Sequence, residues 1–212
     1  MSANDVALPG GGSLRLYGGA GPMLLLLGGS AYRPGPGRWS AAMDWLAPRL
    51  RAHGYRAAQV RYPSRSWREM RSAIQATREA LELLPPPRAL IGFSMGGAVA
   101  AVATPGSPTK LVIGLAPWIP EQIDLRGLVG RRLRVLHGSF DRPLPGVPGV
   151  SPHHSRGVVA RARELGIDAT YQTVGGAVHL IAFRLGGRLL PAPRADRWRQ
   201  LIVRTLEEDQ SA

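Results

Sequence analysis

Residues 88–103 read RALIGFSMGGAVAAVA, and this stretch decides the fold class. An apolar run ends at Phe93, and a run of small residues suited to a helix begins at Met95. A strand that turns sharply into a helix would lift the Ser94 side chain above the edge of a sheet. The glycines two positions before and after the serine leave room for the crowded backbone of such a turn. The stretch therefore predicts a strand, a tight turn that carries a serine, and a helix.

Short apolar runs alternate with longer amphipathic ones on both sides of this stretch. Strands that alternate with helices are typical of parallel sheets with helices on both faces. The predicted fold class is α/β, a mostly parallel, doubly wound sheet whose ligands bind beyond the carboxyl ends of the strands. The predicted strands are Met23–Leu27, Tyr55–Tyr62, Arg88–Phe93, Lys110–Leu115, Leu133–His137 and Ala169–Val174. The predicted helices lie near Arg38–His53, near Trp67–Leu84, from Met95 onwards, near Ser155–Leu165 and over Ala195–Leu206.

The length of 212 residues suits one domain with a substantial core, and the hydrophobic fraction of 44% is that of an ordinary globular protein. We expect a single domain over residues 1–212, with loose ends at 1–12 and 207–212. The longest aliphatic run, Met23–Leu27, is far shorter than the roughly 20 residues of a membrane span. The N-terminus has no basic segment followed by an apolar core, so we expect a cytoplasmic protein without a membrane span.

The net charge of +13 raises the question of a nucleic-acid partner. Lys110 is the single lysine, and the other basic residues are arginines scattered over several predicted elements without aromatic residues between them. This scatter predicts no specific nucleic-acid site. The chain has no cysteine, which excludes disulfides, thiolate metal sites and a cysteine nucleophile. The five histidines show no metal-ligand spacing, so we expect neither a metal nor a cofactor.

A serine hydroxyl becomes a nucleophile only when a base accepts its proton. His179 is the favoured base because it follows the last predicted strand, in a loop at the sheet edge predicted for Ser94. Two further histidines are kept as candidates for the base. His154 opens a helix after a proline-rich loop and is expected to be exposed, whereas His137 ends a strand and is expected to pack beneath a loop.

A third group must orient the base. Asp141 is favoured because it lies just beyond the carboxyl end of the strand that ends at His137. Asp124 is the reserve, since it follows another strand at the same edge, in an irregular segment. Asp168 precedes its strand and therefore belongs to the opposite edge. Asp141 could instead cap a turn or pair with Arg142. These roles have less support, because Ser94, Asp141 and His179 all fall at one predicted sheet edge and follow one another in the order serine, acid, histidine.

Acyl transfer also needs donors for the oxyanion of the tetrahedral intermediate. The backbone N–H of Met95, at the start of the helix, is one candidate. The second should come from the loop after the first buried strand, where we favour Gly29, with Ser30 close behind; these glycines could equally form a simple turn. Three residues flank the predicted mouth and could form an apolar pocket for an acyl or alcohol group, or could pack loops: Tyr32, Trp118 and Ile119.

The chain resembles the α/β-hydrolase superfamily from about Ser13 to Leu206. Three segments carry the resemblance: LIGFSMGG at 90–97, LHGSFD at 136–141 and GGAVH at 175–179. The region from 136 to 179 looks most like the dienelactone-hydrolase and esterase-like branches, although dienelactone hydrolases use a cysteine nucleophile. The resemblance implies a nucleophile at Ser94, an acid at Asp141 and a base at His179.

Two features depart from the pattern of this superfamily. Many relatives have His-Gly in the oxyanion loop, whereas this chain has Leu27-Gly28. The span from Pro117 to Arg131 is too short for the helical cap that many relatives insert there, which implies a shallow, open site.

We expect a cofactor-free serine hydrolase, a carboxylesterase acting on a small-molecule ester or thioester. The competing hypotheses are a thioesterase or perhydrolase using the same residues, or an inactive hydrolase-fold binding protein, and the oligomeric state is left open.

Overall fold

An eight-stranded sheet forms the centre of the molecule. The computed structural model describes residues 4–30, 38–142 and 149–210. The strands of the sheet are β1 (Asn4–Ala7), β2 (Ser13–Tyr17), β3 (Met23–Leu27), β4 (Arg56–Arg61), β5 (Ala89–Phe93), β6 (Leu111–Leu115), β7 (Arg132–Gly138) and β8 (Asp168–Val174). Their order is β1-β2-β4-β3-β5-β6-β7-β8. All neighbours from β4 to β8 pair in parallel, whereas β1 with β2 and β2 with β4 are antiparallel, so the predicted mostly parallel sheet is confirmed.

Helices cover both faces of the sheet. They are α1 (Ala41–Ala52), α2 (Met70–Leu83), α3 (Met95–Ala103), α4 (Pro152–Glu164) and α5 (Ala195–Glu208). Buried side chains of α2, α3 and α4 join one apolar cluster, and those of α1 and α5 join another. Short 3-10 helices span Trp67–Glu69 and Arg126–Leu128, and a separate hairpin pairs β9 (Ala182–Leu185) with β10 (Arg188–Pro191).

The central strand β3 shows why the sheet is buried on both sides. Leu25 and Leu27 belong to the cluster under α2, α3 and α4, whereas Leu24 and Leu26 belong to the cluster under α1 and α5. Successive side chains of a strand point to opposite faces, so a continuous run of leucines serves both cores. No helix in the described part of the chain is long and apolar enough to cross a membrane.

The described residues near the two ends of the chain form regular elements, whereas the sequence predicted loose segments at 1–12 and 207–212. Residues 4–7 form β1, where all four residues are exposed and Arg15 Nε lies 2.7 Å from Asp5 Oδ1 across the strand pair. Backbone pairing rather than burial holds this strand, and hydropathy patterns do not report pairing. At the other end α5 continues to Glu208, and the next residue, Asp209, binds Arg88 and Arg132 at 3.0 and 2.7 Å.

Candidate active site

Ser94 occupies a strained turn between β5 and α3. Its φ of 52° and ψ of −119° lie in a region that L-residues rarely adopt. A Cβ atom on Gly92 would stand 2.2 Å from the carbonyl oxygen of Gly96, and one on Gly96 would stand 2.3 Å from the carbonyl oxygen of Leu27. Both positions therefore exclude any side chain, as the sequence predicts. Such strain persists only where the surrounding structure holds the residue in place.

Main-chain hydrogen bonds hold the Ser94 turn. Its N–H donates to the carbonyl of Leu115 at 2.9 Å, and its own carbonyl accepts from Gly97 at 2.9 Å and from Trp118 at 3.1 Å. The turn is thus tied to the end of β6 and to the segment that follows it. Ser94 itself is 8% exposed.

Asp141 and His179 meet at the same edge of the sheet. Asp141 follows β7 and His179 follows β8, and Nδ1 of His179 lies 2.7 Å from Oδ2 of Asp141. Both side chains are buried. Because a carboxylate only accepts, Nδ1 carries the proton and Nε2 of His179 is left as an acceptor. The His179 ring packs against Phe93, the residue before Ser94, with centroids 4.9 Å apart.

The hydroxyl of Ser94 and the imidazole of His179 are not joined directly. Within the described ranges, His179 bonds Asp141, and no hydrogen bond links it to Ser94. Hydrogen bonds of this kind often form or shorten only when a substrate is bound. The structure therefore brings Asp141 and His179 into contact and sets His179 beside the turn that carries the serine.

A second histidine reaches Asp141, a contact that the sequence pattern does not predict. Nε2 of the fully buried His137 lies 3.0 Å from Oδ2 of Asp141, and its Nδ1 lies 2.7 Å from the Ser155 hydroxyl. The N–H of Val150 donates to Oδ1 of Asp141 at 3.0 Å. Burial raises the pKa of Asp141, but hydrogen bonds from His137 and His179 outweigh it and hold this pKa below its ordinary value.

Two reserve candidates, His154 for the base and Asp124 for the acid, lie apart from this group, as does Asp168, which the sequence excludes. His154 is half-buried rather than exposed, and its Nε2 accepts from the N–H of Ile119 at 3.0 Å. Asp124 is exposed and pairs with Arg126 at 2.9 Å. Asp168 begins β8, at the opposite edge as expected.

The two residues proposed from the sequence as oxyanion donors both lie next to Ser94. Met95 opens α3, where the first N–H groups have no partner inside the helix. A Cβ atom on Gly29 would lie 3.1 Å from Cβ of Ser94, so these two backbones approach closely. The loop after β3 is anchored by Arg65, whose Nε donates to the carbonyl of Gly29 at 2.7 Å and whose Nη2 donates to that of Ser30 at 3.1 Å. No sequence signal separates Arg65 from the many other arginines.

A cavity of about 450 Å³ opens beside Ser94. Trp118 lines it, as expected from the sequence. Ile119 does not: it is 1% exposed and packs in the core. Tyr32 lies outside the described residues. The lining residues are Ser30, Trp67, Ser94, Trp118, Gly149, Val150, Ser151 and His154. In the ranges that the structure describes, no three His, Cys, Asp or Glu side chains are grouped so that they could hold a metal ion.

The sheet order, the helices on both faces and the strained serine turn define the α/β-hydrolase fold. Solved structures with near-complete coverage share it. An α/β hydrolase from a deep-sea metagenome library of the Medee basin has a TM-score of 0.71 and 18% identity, covering 97% of both chains. A dienelactone hydrolase-like promiscuous phosphotriesterase from metagenomic libraries has a TM-score of 0.70 and 19% identity, covering 98% of both. A carboxylesterase from Lactobacillus plantarum has a TM-score of 0.73 and 16% identity, covering 99% of this chain and 98% of its own.

Comparison by sequence adds no closer relative. No family model matches the chain, and no curated protein matches it. At 16–19% identity, these structural similarities establish the fold alone. Any statement about activity therefore depends on the site.

Proposed function

We propose that this protein is a serine hydrolase that cleaves carboxylic esters, with Ser94 as nucleophile, His179 as base and Asp141 as the group that orients the base. The observation that carries the proposal is the 2.7 Å hydrogen bond between Asp141 and His179, at the sheet edge where Ser94 occupies its strained turn. Acyl transfer by a serine requires a carboxylate that is hydrogen-bonded to a histidine, beside a serine in a strained turn.

The tautomer of His179 gives the direction of proton transfer. Since Nδ1–H donates to Asp141, Nε2 accepts the proton of Ser94 as its oxygen attacks the ester carbonyl. The imidazolium that forms is stabilised by the carboxylate and then gives its proton to the departing alkoxide, which leaves as the alcohol. Water, deprotonated by the same Nε2, attacks the acyl-enzyme and releases the carboxylic acid and the free serine.

The negative charge on the attacked carbonyl oxygen needs donors that are already in position. The N–H groups of Met95 and Gly29 fill this role in the proposal, with Ser30 as the second candidate on the β3 loop. Removal of one such donor in other enzymes costs about 2.7–4 kcal/mol of transition-state stabilisation. The anchoring of the loop by Arg65 supports this role, because a preorganised donor loses no energy to reorganisation during the reaction.

The structural neighbours agree with this class of chemistry. One is described as a carboxylesterase, and another as a dienelactone hydrolase-like phosphotriesterase. The cavity beside Ser94 has room for a small-molecule substrate. We therefore place the cleavage of carboxylic esters first, with the cleavage of thioesters and the formation of peracids as alternative reactions of the same residues.

Labelling with a fluorophosphonate probe tests the proposal directly, because the probe phosphonylates an activated serine. We expect labelling of the wild type, none of Ser94→Ala, and strongly reduced labelling of His179→Ala. Ser107→Ala, in the turn that follows α3, and His153→Ala, at an exposed position on α4, are matched controls that should label like the wild type.

A substrate panel then identifies the reaction. Ethyl esters of increasing acyl length, matched thioesters and peracid formation from acetate and hydrogen peroxide are measured in parallel. Ester hydrolysis that is lost in Ser94→Ala supports the proposal. A folded wild type that neither labels nor hydrolyses any of these compounds would show that the protein is a binding module of the hydrolase fold.

A further inference from the structure

The cavity beside Ser94 has an aromatic wall. The rings of Trp67 and Trp118 pack edge to face, with centroids 4.6 Å apart and planes inclined by 70°. Both side chains are half-buried, and both line the cavity. The N–H of Trp118 binds the carbonyl of Ser94 at 3.1 Å, so this wall is attached to the turn that carries the serine. A group bound against the wall would therefore lie next to the reactive hydroxyl.

The described walls of the cavity carry no formal charge. In the described part of the chain its lining includes no Asp, Glu, Lys or Arg, although the whole chain has a net charge of +13. A charged group placed there would lose hydration without gaining an ionic partner among these described residues. A neutral ring, by contrast, gains edge-to-face or stacked contacts with the tryptophans beyond the burial of its own area.

His154 adds one hydrogen-bond donor to this wall. Its ring lies 5.9 Å from that of Trp118, and it lines the same cavity. Nε2 accepts the N–H of Ile119 at 3.0 Å and so carries no proton in the neutral ring. Burial, assisted by the charge of Arg161, lowers the pKa of His154, which favours the neutral form. The proton then sits on Nδ1, for which the described residues supply no acceptor.

We propose that this cavity is a subsite for a neutral aromatic ring bearing a hydrogen-bond acceptor, and that the preferred substrates are ring-bearing carboxylic esters. Trp67 and Trp118 contact the ring, and Nδ1–H of His154 donates to the acceptor. The ring belongs to either the acyl or the alcohol part of the ester, which share this chemistry. The statement about substrates rests on the proposed function, whereas the binding of the ring does not.

Binding to Ser94→Ala, which cannot turn substrate over, tests the subsite by itself. Isothermal titration with ethyl para-acetylbenzoate probes the acyl arrangement, and para-acetylbenzyl acetate probes the alcohol arrangement. Their saturated cyclohexane counterparts are the matched ligands. We expect the better of the two aromatic ligands to bind about threefold to tenfold more tightly than its counterpart. Adding Trp118→Leu should remove this difference.

A second comparison tests the Nδ1–H donor of His154. Each aromatic ligand is compared with an analogue in which isopropyl replaces the acetyl group. We expect His154→Phe to reduce the preference for the acetyl ligand about threefold to tenfold. His154→Gln, which keeps an acceptor for Ile119 and a donor for the ligand, should retain most of it. His153→Phe, the exposed neighbour, should leave it unchanged. Reporting the ratio of two ligands on each variant cancels general losses of stability.

The outcomes separate the two proposals. Equal binding of the aromatic and saturated ligands, or an acetyl preference that His154→Phe leaves intact, overturns the subsite. If Ser94→Ala prefers the ring but the wild type hydrolyses no ester, the subsite stands and the proposed function fails. If the wild type hydrolyses aromatic and saturated esters with equal kcat/KM and the variant binds them equally, the hydrolase stands and the subsite is refuted.

Discussion

His137 and Asp141 are joined by a 3.0 Å contact between Nε2 and Oδ2, the same carboxylate oxygen that lies 2.7 Å from His179. One buried carboxylate oxygen thus faces two imidazoles, and the single Nε2–H of His137 is shared between this oxygen and the carbonyl of Val150, which lies 2.9 Å away. The Ser155 hydroxyl, 2.7 Å from Nδ1 of His137, completes a chain that runs from α4 to the proposed base. We expect His137 to act as a positioning residue, through the carboxylate that it shares with His179.

The first prediction concerns this shared carboxylate. His137→Phe removes one donor to Asp141, and because that donor lowers the pKa of Asp141, we expect the pKa of this carboxyl to rise and the ionised carboxylate that orients the proposed base to be lost at a higher pH. We expect the acidic limb of the pH profile of kcat/KM to move upward by about half to one pH unit, since one hydrogen bond contributes about 0.5–1.5 kcal/mol and one pKa unit equals about 1.36 kcal/mol. The measurement is ester hydrolysis between pH 4 and 9.

The control for this prediction is His137→Gln, whose amide can donate from nearly the same place and should restore the wild-type profile. The other titratable groups around His137 are Tyr171, whose ring lies 6.5 Å away, and His154, and both are unchanged in these variants. An acidic limb that stays in place in His137→Phe, with only the rate reduced, would mean that His137 merely fills space.

The second prediction links the pKa of Asp141 to stability. This pKa is lowered in the folded protein, so the ionised carboxylate contributes stability that is present above the unfolded pKa of about 3.9 and is lost as the pH falls through the folded pKa. We expect the thermal unfolding midpoint of the wild type to drop below about pH 4 more steeply than that of Asp141→Asn, which cannot titrate. Parallel curves for the two proteins would contradict this origin of acid sensitivity.

The third prediction concerns the glycines of the serine turn. Gly96→Ala would bring a methyl group to 2.3 Å from the backbone oxygen of Leu27, which cannot move without disturbing β3. We expect a loss of at least about 1–3 kcal/mol in the free energy of unfolding, measured with urea. Gly157→Ala, on the exposed side of α4 with nothing within 4 Å, should instead gain about 0.5–1 kcal/mol. Similar changes in the free energy of unfolding at the two sites would show that the turn can accommodate a side chain at Gly96.

The fourth prediction concerns Arg65. Arg65→Met removes both hydrogen bonds to the loop after β3 and should lower kcat about tenfold with a smaller change in KM, since loose oxyanion donors weaken transition-state binding most. Arg65→Lys, which can make one of the two bonds, should lie between. Arg68→Met, an exposed arginine three residues further on, is the matched control. A change confined to KM would mean that Arg65 serves substrate binding instead.

The sequence predicted those parts of the molecule whose physics is local. A buried strand, a serine and small residues at fixed offsets specify the turn at Ser94, because the steric demands there involve neighbours in the chain. The rule that parallel strands end at one edge then selected Asp141 and His179, since each follows a strand directly. The alternation of apolar and amphipathic runs predicted the mostly parallel sheet with helices on both faces, but not the order of its strands.

The sequence patterns did not predict contacts between segments that are distant in the chain. The exposed strand β1 is held by pairing with β2, which leaves no trace in hydropathy. Trp67 precedes α2 and meets Trp118 only because β4 and β6 end on the same side of the sheet.

The sequence by itself determined the fold class and the turn at Ser94, and it singled out Asp141 and His179, which the structure joins by a hydrogen bond. The tertiary structure alone decided that His137 shares Asp141, that Arg65 anchors the loop of Gly29, and that Ile119 packs in the core while Trp118 lines the cavity. The physical reason is the distance along the chain over which each kind of interaction acts. Backbone sterics and side-chain periodicity act over a few residues, whereas a hydrogen bond between side chains dozens of positions apart exists only once the packing of the whole sheet has set their separation.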